Sequence, residues 1–188
     1  MAHISDLRTG IFTYLDIHTI APVAATVTSS NYANLFVGST PGTADTTDGD
    51  TTGVPEHFRM PSVREFPSVG TPANIVNVPV YGQKTSSQVQ GQADAPSLEV
   101  TINYNATDAG DLHSLIGKAV TFRFMMTDSA CTPNEGAGTT LAKANTEFYF
   151  NGKVEAILVN PSLTDATTAT VTLSTQSDFI GPATIAAS

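Results

Sequence analysis

The chain has no tryptophan, a single cysteine and few charged residues. Only 13% of its 188 residues are charged, whereas about a quarter are charged in most soluble domains. The lone Cys131 cannot form an internal disulfide, which excludes a small scaffold stapled by such bonds. We interpret it as a loop residue rather than a nucleophile. Thr, Ser, Asn, Gln and Gly replace the missing charges, a composition typical of strands with neutral polar faces.

Positive charge is especially scarce. The formal net charge is −9, and the basic residues form no stripe. Proteins that bind nucleic acid tightly hold its phosphates with clustered Lys and Arg side chains. The scattered basic residues therefore argue against tight nucleic-acid binding. They are Arg8, Arg59, Arg64, Lys84, Lys118, Arg123, Lys143 and Lys153.

Long apolar runs and targeting signals are also lacking. A membrane helix needs about 18 or more consecutive apolar residues, and no such run is present. The start, "MAHISDLRTG", has no basic segment followed by an apolar one, the pattern of a secretory signal. We therefore expect a soluble intracellular product with no membrane partner.

Motifs for catalysis or cofactor binding are missing as well. There is no GxSxG motif, P-loop or dinucleotide fingerprint. The histidines, His3, His18, His57 and His113, each stand apart from a second ligand at metal-like spacing. We predict that the protein is not an enzyme and has no cofactor.

The stretch "DTTDGD", with Asp45, Asp48 and Asp50, is the one carboxylate cluster that suggests calcium. It lacks the alternate-position spacing and the bidentate Glu of a calcium loop. We interpret it as part of a long polar loop, 40–58. Loops longer than about 12 to 15 residues in a compact domain tend to be functional or disordered.

What is present is alternation of apolar and polar residues with a period of two, which predicts β-strands. We expect a single, mainly β domain, 1–188, with seven or so strands and one short helix. A second long loop is predicted at 127–145 and an unfolded C-terminal arm at 181–188. The predicted strands lie in "TGIFTYLDIHTI", "ANLFVGS", "NIVNVPVY", "SLEVTINYN", "AVTFRFMM", "EFYFNGKVEAILVN" and "TTATVTLSTQ".

The cleanest strand is "SLEVTINYN". Its apolar residues alternate with Glu99, Thr101 and Asn103, which we expect on a face turned to solvent or to a partner. The preceding stretch, "VPVYGQKTSSQVQGQ", is uncharged apart from Lys84. Pro79 within it predicts either a sheet edge or a bulge at its backbone nitrogen. Sheet edges are usually guarded by charge or proline, so this neutral surface favours intermolecular pairing.

Two shorter patterns predict a helix and a bend. In "NATDAGDLHSLIGK", Thr107 or Asp108 caps a short helix, with Leu112, Leu115 and Ile116 on one face. Gly117 ends it. In "EFYFNGKVEAILVN", the dipeptide "NG" predicts either a type I′ hairpin turn or a bulge that bends one long strand.

The order of these elements from Ile75 to Pro182 resembles that of the major tail tube proteins of long-tailed bacteriophages. Its most characteristic part is "FYFNGKVEAILVN" followed by a threonine-rich strand. The resemblance implies two packed antiparallel β-sheets, in a sandwich or barrel-like arrangement, with a flanking helix. The same fold is implied for contractile tail tubes and for the tube protein of type VI secretion.

The resemblance also implies a function. Family members form hexameric rings whose inner strands join edge to edge, and the rings stack into a hollow tube that conducts DNA. The implied partners are other copies of the chain, the tape measure protein, and terminator or tip proteins. The implied location is the virion tail, after synthesis in the cytoplasm of a bacterial host.

Candidate contact residues follow from this resemblance. The loop 40–58 matches the family loop that reaches the neighbouring ring, so we assign the inter-ring contact to Asp45, Asp48, Asp50, Val54 and Phe58. We expect Glu99, Thr101 and Asn103 to line the lumen or to form a subunit contact. The chain ends shortly after Gly181, so we expect no additional immunoglobulin-like domain of the kind that some relatives carry.

An alternative function explains the Thr, Ser and Asn content equally well. A carbohydrate- or receptor-binding β-sandwich, such as an adhesin or a capsid decoration module, also has polar strands and long loops. The absence of tryptophan argues against it, because sugar-binding sites use exposed aromatic rings. An enzyme of unrelated fold is the third alternative, and a deep pocket with perturbed acids would distinguish it.

Overall fold

The computed structural model describes residues 12–19, 28–38, 57–70, 75–79, 81–82, 84–91, 96–127, 129–132 and 145–185. Within these ranges the chain is mainly β and antiparallel, as predicted. The elements are β1 (Thr13–His18), α1 (Ser29–Gly38), β2 (His57–Arg59), β3 (Val63–Glu65), β4 (Ile75–Val78), β5 (Ser87–Gln90), β6 (Ser97–Asn103), α2 (Ala106–Ser114), β7 (Ala119–Thr127), β8 (Asn145–Asn160), β9 (Thr168–Thr175) and β10 (Ile180–Ile185).

The strand β8 organises the main sheet, because it belongs to two parts of it. Its first half pairs with β7 on one edge and β10 on the other. Its second half, from Gly152 onward, pairs with β9. The order β2-β1-β7-β8-β10 is called here the first half-sheet, and β8-β9-β6-β3 the second half-sheet. A separate two-stranded sheet consists of β4 and β5.

Gly152 and Glu155 explain how one strand serves both half-sheets. A Cβ at Gly152 would lie 3.1 Å from the Phe122 ring and closer still to the Ser174 carbonyl oxygen, so the crossing needs glycine. Between Val154 and Ala156 the register shifts, which makes Glu155 a bulge. The alternative of a hairpin turn at "NG" is therefore wrong. The bulge lies a few residues further along.

The apolar core is formed by inward-facing side chains of both half-sheets. Strand alternation is confirmed in β6 and β9, where every second residue is buried. The bulge at Glu155 reverses the alternation after it. Ile157 packs against the core, while Leu158 is exposed. The buried core comprises Leu15, Ile17, Met60, Leu98, Val100, Ile102, Leu112, Leu115, Val120, Phe122, Phe124, Phe150, Val154, Ala169, Val171 and Leu173.

The predicted short helix is present as α2. It begins at Ala106, so Thr107 and Asp108 lie in its first turn rather than capping it. Leu112 and Leu115 are buried in the core. Ile116 was expected on the same face but lies beyond the helix and is exposed. The helix ends at Ser114, three residues before the predicted stop at Gly117, whose φ of 78° instead serves the turn that follows.

The segment "ANLFVGS" was predicted as a strand and is instead part of α1. Thr28 precedes the helix, and its Oγ1 accepts a hydrogen bond from the Asn31 amide at 3.4 Å, a weak N-terminal cap. Tyr32 and Phe36, spaced i and i+4, are both buried against Tyr149 of β8. The short apolar run thus has helical rather than strand periodicity. The chain has two flanking helices within the described residues, not one.

Three predicted boundaries also change. The tail 181–188 was expected to be unfolded, but Ile180–Ile185 forms β10 and pairs with β8 because β8 has a free edge there. The loop 40–58 ends earlier, since His57 and Phe58 belong to β2. In the loop 127–145, Thr127 ends β7 and Asn145 begins β8. Residues 39–56, 133–144 and 186–188 lie outside the described residues.

Candidate assembly surfaces

The outer face of the second half-sheet is a neutral polar surface. Glu99, Thr101 and Asn103 of β6 stand on it together, as predicted, because their neighbours in β6 fill the core. Each pairs with a threonine of β9: Thr172, Thr170 and Thr168 respectively. Directly opposed residues share a face of the sheet, so two strands present a continuous row of hydroxyl, amide and carboxylate groups. We call this surface the threonine face.

Charge on the threonine face is sparse and mostly negative. Glu65 of β3 is paired with Thr101 and extends the face at one side. At the other side Ser174 donates a hydrogen bond of 2.5 Å to the Glu155 carboxylate. Lys153, paired with Ser174, adds a cation to this surface. The carboxylates of Glu65, Glu99 and Glu155 accompany it.

Both lateral edges of the second half-sheet are partly open. On one side, β3 pairs only with the Thr101–Ile102 end of β6, which leaves residues 97–100 without a neighbour among the described strands. On the other side, β7 stops pairing with β8 at Lys153, so residues 155–160 pair with β9 alone. Unpaired backbone edges are templates for pairing with another chain. The two open edges lie on opposite sides of the same half-sheet.

The predicted inter-ring residues fall mostly outside the described residues. Asp45, Asp48, Asp50 and Val54 lie there, so their arrangement stays a prediction. Phe58 is in β2, opposite Ile17 of β1. Within the part of the chain that the structure describes, no group of three or more potential ligands could hold a metal ion.

A buried charged layer under α1 was not predicted. Strand alternation places Asp16 and Arg123 together on the face of the first half-sheet that is turned away from the apolar core. Both are fully buried, and the Arg123 guanidinium donates to the Asp16 carboxylate at 2.6 and 3.1 Å. Arg59 donates to the same carboxylate at 2.8 Å and to the Cys131 carbonyl at 2.7 Å. One carboxylate thus holds two cations from different strands.

Aromatic rings of α1 cover this charged layer. The Arg123 guanidinium carbon lies 4.6 Å from the centre of the Phe36 ring. The edges of His18 and His57 meet the same ring at 5.7 and 5.0 Å between centroids. Tyr32 stacks on Tyr149 at 5.5 Å. The cation–π contact and the ring contacts attach the helix to the sheet without an exposed apolar patch.

Burial sets the protonation of the groups in this layer. Desolvation lowers the pKa of His57 to about 4, against the opposing effect of the Asp16 carboxylate. Desolvation also raises the pKa of the Tyr149 hydroxyl, helped by Glu147, whose carboxylate accepts its hydrogen bond. His57 is therefore neutral and Tyr149 protonated near neutral pH. These groups are enclosed beneath α1, so we interpret the layer as structural.

A signal for this layer existed in the sequence. Asp16 and Arg123 are each the single charge of their strand, and Glu147 is the single charge in the first half of β8. Such isolated charges of both signs pair when another element covers the face. The covering helix was missed, so the pairing was missed as well. The four histidines were treated as isolated, although His18 and His57 come within 6.2 Å of each other.

A shallow cleft lies beside this layer, between β1, β2 and β3. Its volume is about 360 Å³, and its charged lining residues are Arg59 and Arg64. Arg59 stacks over the Tyr14 ring at 3.7 Å, which fixes one wall. The remaining lining residues are Thr13, Leu15, Met60, Ser62, Val63 and Phe66.

None of the described helices is long and apolar enough to cross a membrane. Comparison of the chain with models of protein families and with curated proteins found no match in either case.

Proposed function

We propose that the chain is a structural subunit that joins copies of itself, edge to edge, into rings that stack as a tube for DNA. The observation that carries this proposal is the second half-sheet, whose threonine face lies between two open edges. The resemblance to major tail tube proteins of long-tailed phages supports the same assignment from the order of elements.

The two open edges favour a ring rather than a two-fold dimer. Residues 97–100 of β6 and 155–160 of β8 are different segments on opposite sides of the half-sheet. Joining one segment to the other on the next copy is a heterologous contact, which repeats in one direction until rotation closes it. Each added copy extends the sheet through a parallel pair, because β6 and β8 both run antiparallel to β9. A closed ring of such sheets is a barrel wall without edges.

The chemistry of the threonine face suits the inside of that wall. Affinity for DNA comes mainly from Lys and Arg side chains that neutralise phosphates. On this face the carboxylates of Glu65, Glu99 and Glu155 accompany Lys153, and most other groups are neutral hydroxyls and amides. Leu158, opposite Thr170, adds an exposed apolar side chain. Such a surface stays hydrated and repels phosphate, so a passing duplex is not retained. The chain's net charge of −9 acts in the same direction.

Electron microscopy of the purified protein, with and without edge-blocking charges, tests this proposal. The wild-type chain should form rings or tubes of uniform width under negative stain. The variant Ser97→Lys/Ala156→Lys places a lysine on each open edge and should remain monomeric, because charges guard sheet edges. A matched control, His113→Lys/Ser114→Lys, adds the same charge to exposed positions of α2 and should assemble.

A specific result would contradict the proposal. A wild-type chain that stays a monodisperse monomer at high concentration and binds a glycan array would overturn the proposal. It would support the carbohydrate- or receptor-binding alternative. Assembly of the lysine-edge variant at wild-type concentrations would reject the edges as the contact while leaving self-assembly intact.

A further inference from the structure

The β4–β5 hairpin is amphipathic and has no partner in the described structure. Val76 pairs with Val89, and Val78 with Ser87, so the three valines share one face. The opposite face carries Ile75, Asn77 and Gln88. All side chains that the structure describes in these two strands are exposed. An isolated two-stranded hairpin is marginally stable in water, so burial of the valine face against another surface would stabilise it.

A second apolar surface lies at the end of the β8–β9 hairpin. Leu158 and Val159 at the end of β8 are exposed, and so is Leu163 in the connecting loop. The loop is ordered by Ser162, whose Oγ accepts hydrogen bonds from the amides of residues 164 and 165 at 3.3 and 3.0 Å. We call residues 158–167 the β8–β9 tip. The exposed apolar groups lie on both faces of this ordered projection, since Leu158 is opposite Thr170 and Val159 is opposite Ala169. Exposed apolar groups on a projection of this kind mark an interaction site.

The two surfaces are attached to opposite ends of the second half-sheet. The β8–β9 tip joins at the end where Asn103 pairs with Thr168. The β4–β5 hairpin leads into β6 at Ser97, which is at the other end, paired with Ser174. In a barrel the strand ends form the two rims. The tip therefore belongs to one rim, and the hairpin is connected to the other.

Their charges are complementary. Lys84 is the only charged residue in 75–91, and Asp165 is the only one in 156–175. Both are exposed, and neither forms an ion pair with any described residue. Each apolar surface thus carries one charge, of opposite sign to that on the other surface. A contact between the β4–β5 hairpins of two copies would instead bring two lysines together.

We propose that the β4–β5 hairpin of one copy docks its valine face on the β8–β9 tip of a copy in the adjacent ring, with Lys84 paired to Asp165. The inference rests on the proposed ring and names the contact that stacks one ring on the next. Head-to-tail contacts of this kind do not close and so extend the stack without limit.

Charge reversal tests the ion pair. Lys84→Glu and Asp165→Lys should each yield single rings in place of tubes, and should raise the protein concentration needed for stacking about tenfold, because an attraction between opposite charges becomes a repulsion. The double reversal, Lys84→Glu/Asp165→Lys, should restore tubes. Lys118→Glu, an exposed charge reversal after α2, is the matched control and should stack normally.

Cysteine cross-linking tests the apolar contact. In a Cys131→Ser background, Val89→Cys and Leu158→Cys chains are mixed, assembled and oxidised. The proposed contact predicts disulfides between the two variants and none between copies of the same variant. Disulfides between Val89→Cys chains alone would instead show an isologous hairpin contact and overturn the proposal.

These outcomes separate the two proposals. Wild-type protein that forms no rings rejects the proposed function, and the stacking contact with it. Tubes that form normally from both single charge reversals, without cross-links between Val89→Cys and Leu158→Cys, reject only the stacking contact. Circular dichroism of each variant establishes that it is folded before its assembly is compared.

Discussion

Gly152 shows how a single residue allows β8 to serve two half-sheets. Its backbone approaches the Ser174 carbonyl and the Phe122 ring so closely that a Cβ does not fit. A substitution there must displace backbone, which no side-chain rotation relieves. The residue is therefore constrained by close approach and not by its conformation.

We expect Gly152→Ala to lower the free energy of unfolding by about 1–3 kcal/mol through overpacking, measured by urea denaturation. Gly110→Ala is the matched control. Gly110 lies in α2, where an alanine methyl group would meet no described neighbour within 4 Å. Alanine there should therefore stabilise the protein by about 0.5–1 kcal/mol through helix propensity. Equal effects of the two substitutions would contradict the close approach.

His57 makes stability depend on pH. Its pKa falls from 6.5 in the unfolded chain to about 4 in the native state, mainly because burial disfavours the charged ring. Between these values the unfolded chain binds a proton that the native protein does not. The contribution of neutral His57 to the free energy of unfolding is therefore fully present above pH 6.5 and is lost as the pH falls towards 4.

The size of this loss is about 2–3 kcal/mol between the two pH values. Urea denaturation across that range should show it in the wild type. In His57→Gln the group is absent, so the curve should fall by correspondingly less. Parallel curves for the two proteins would mean that His57 does not titrate as described.

At the scale of elements, α1 determines whether one face or both faces of the first half-sheet are buried. Without the helix, Asp16 and Arg123 would face solvent. With it, β7 is buried on both faces over most of its length. The helix contacts this layer chiefly through Phe36, which touches Arg123, His57 and Tyr149.

Truncation of that ring should loosen the helix. Phe36→Ala is expected to cost about 3–5 kcal/mol of stability, because it removes buried area and the cover over a buried ion pair. Leu35→Ala, at a half-buried position of the same helix, should cost clearly less. Urea denaturation of both variants gives the comparison, and a Phe36→Ala variant as stable as Leu35→Ala would show that the helix is not held by this contact.

The elements that could be predicted are those with one buried and one exposed face. Alternation in β6 and β9 met this condition although the two strands are far apart in sequence, and Glu99, Thr101 and Asn103 were placed together on the exposed face. The layer under α1 did not meet it, since the helix buries the second face of the strands that carry Asp16 and Arg123. β10 was missed because Gly181 and Pro182 disfavour a strand, while the free edge of β8 that it pairs with is a tertiary feature.

At the scale of the whole molecule, charge distribution governs the response to DNA. The unassembled wild-type chain should not bind a short labelled duplex at physiological salt in a fluorescence anisotropy titration. The variant Glu99→Lys/Thr101→Lys/Thr172→Lys should bind, with a slope of log affinity against log salt of about −2 to −3, close to one unit per phosphate neutralised.

The matched control carries its lysines elsewhere. Asp111→Lys/His113→Lys/Ser114→Lys adds the same number of cations to α2, where no extended sheet face aligns them with a phosphate backbone. It should bind more weakly than the threonine-face variant. Comparable binding by both variants, or by the wild type, would mean that the threonine face is not specifically unfavourable to DNA.

The continuity of β8 has a mechanical consequence. In a tube built as proposed, the same backbone lies in the wall around the channel and in the layer beneath α1. A force along β8 is shared by the hydrogen bonds that pair it with β7, β9 and β10. Because the force runs parallel to the strands, it shears these hydrogen bonds simultaneously rather than breaking them one after another. Each subunit would then resist stretching as a unit, so a tube under tension should part between rings before any subunit unravels.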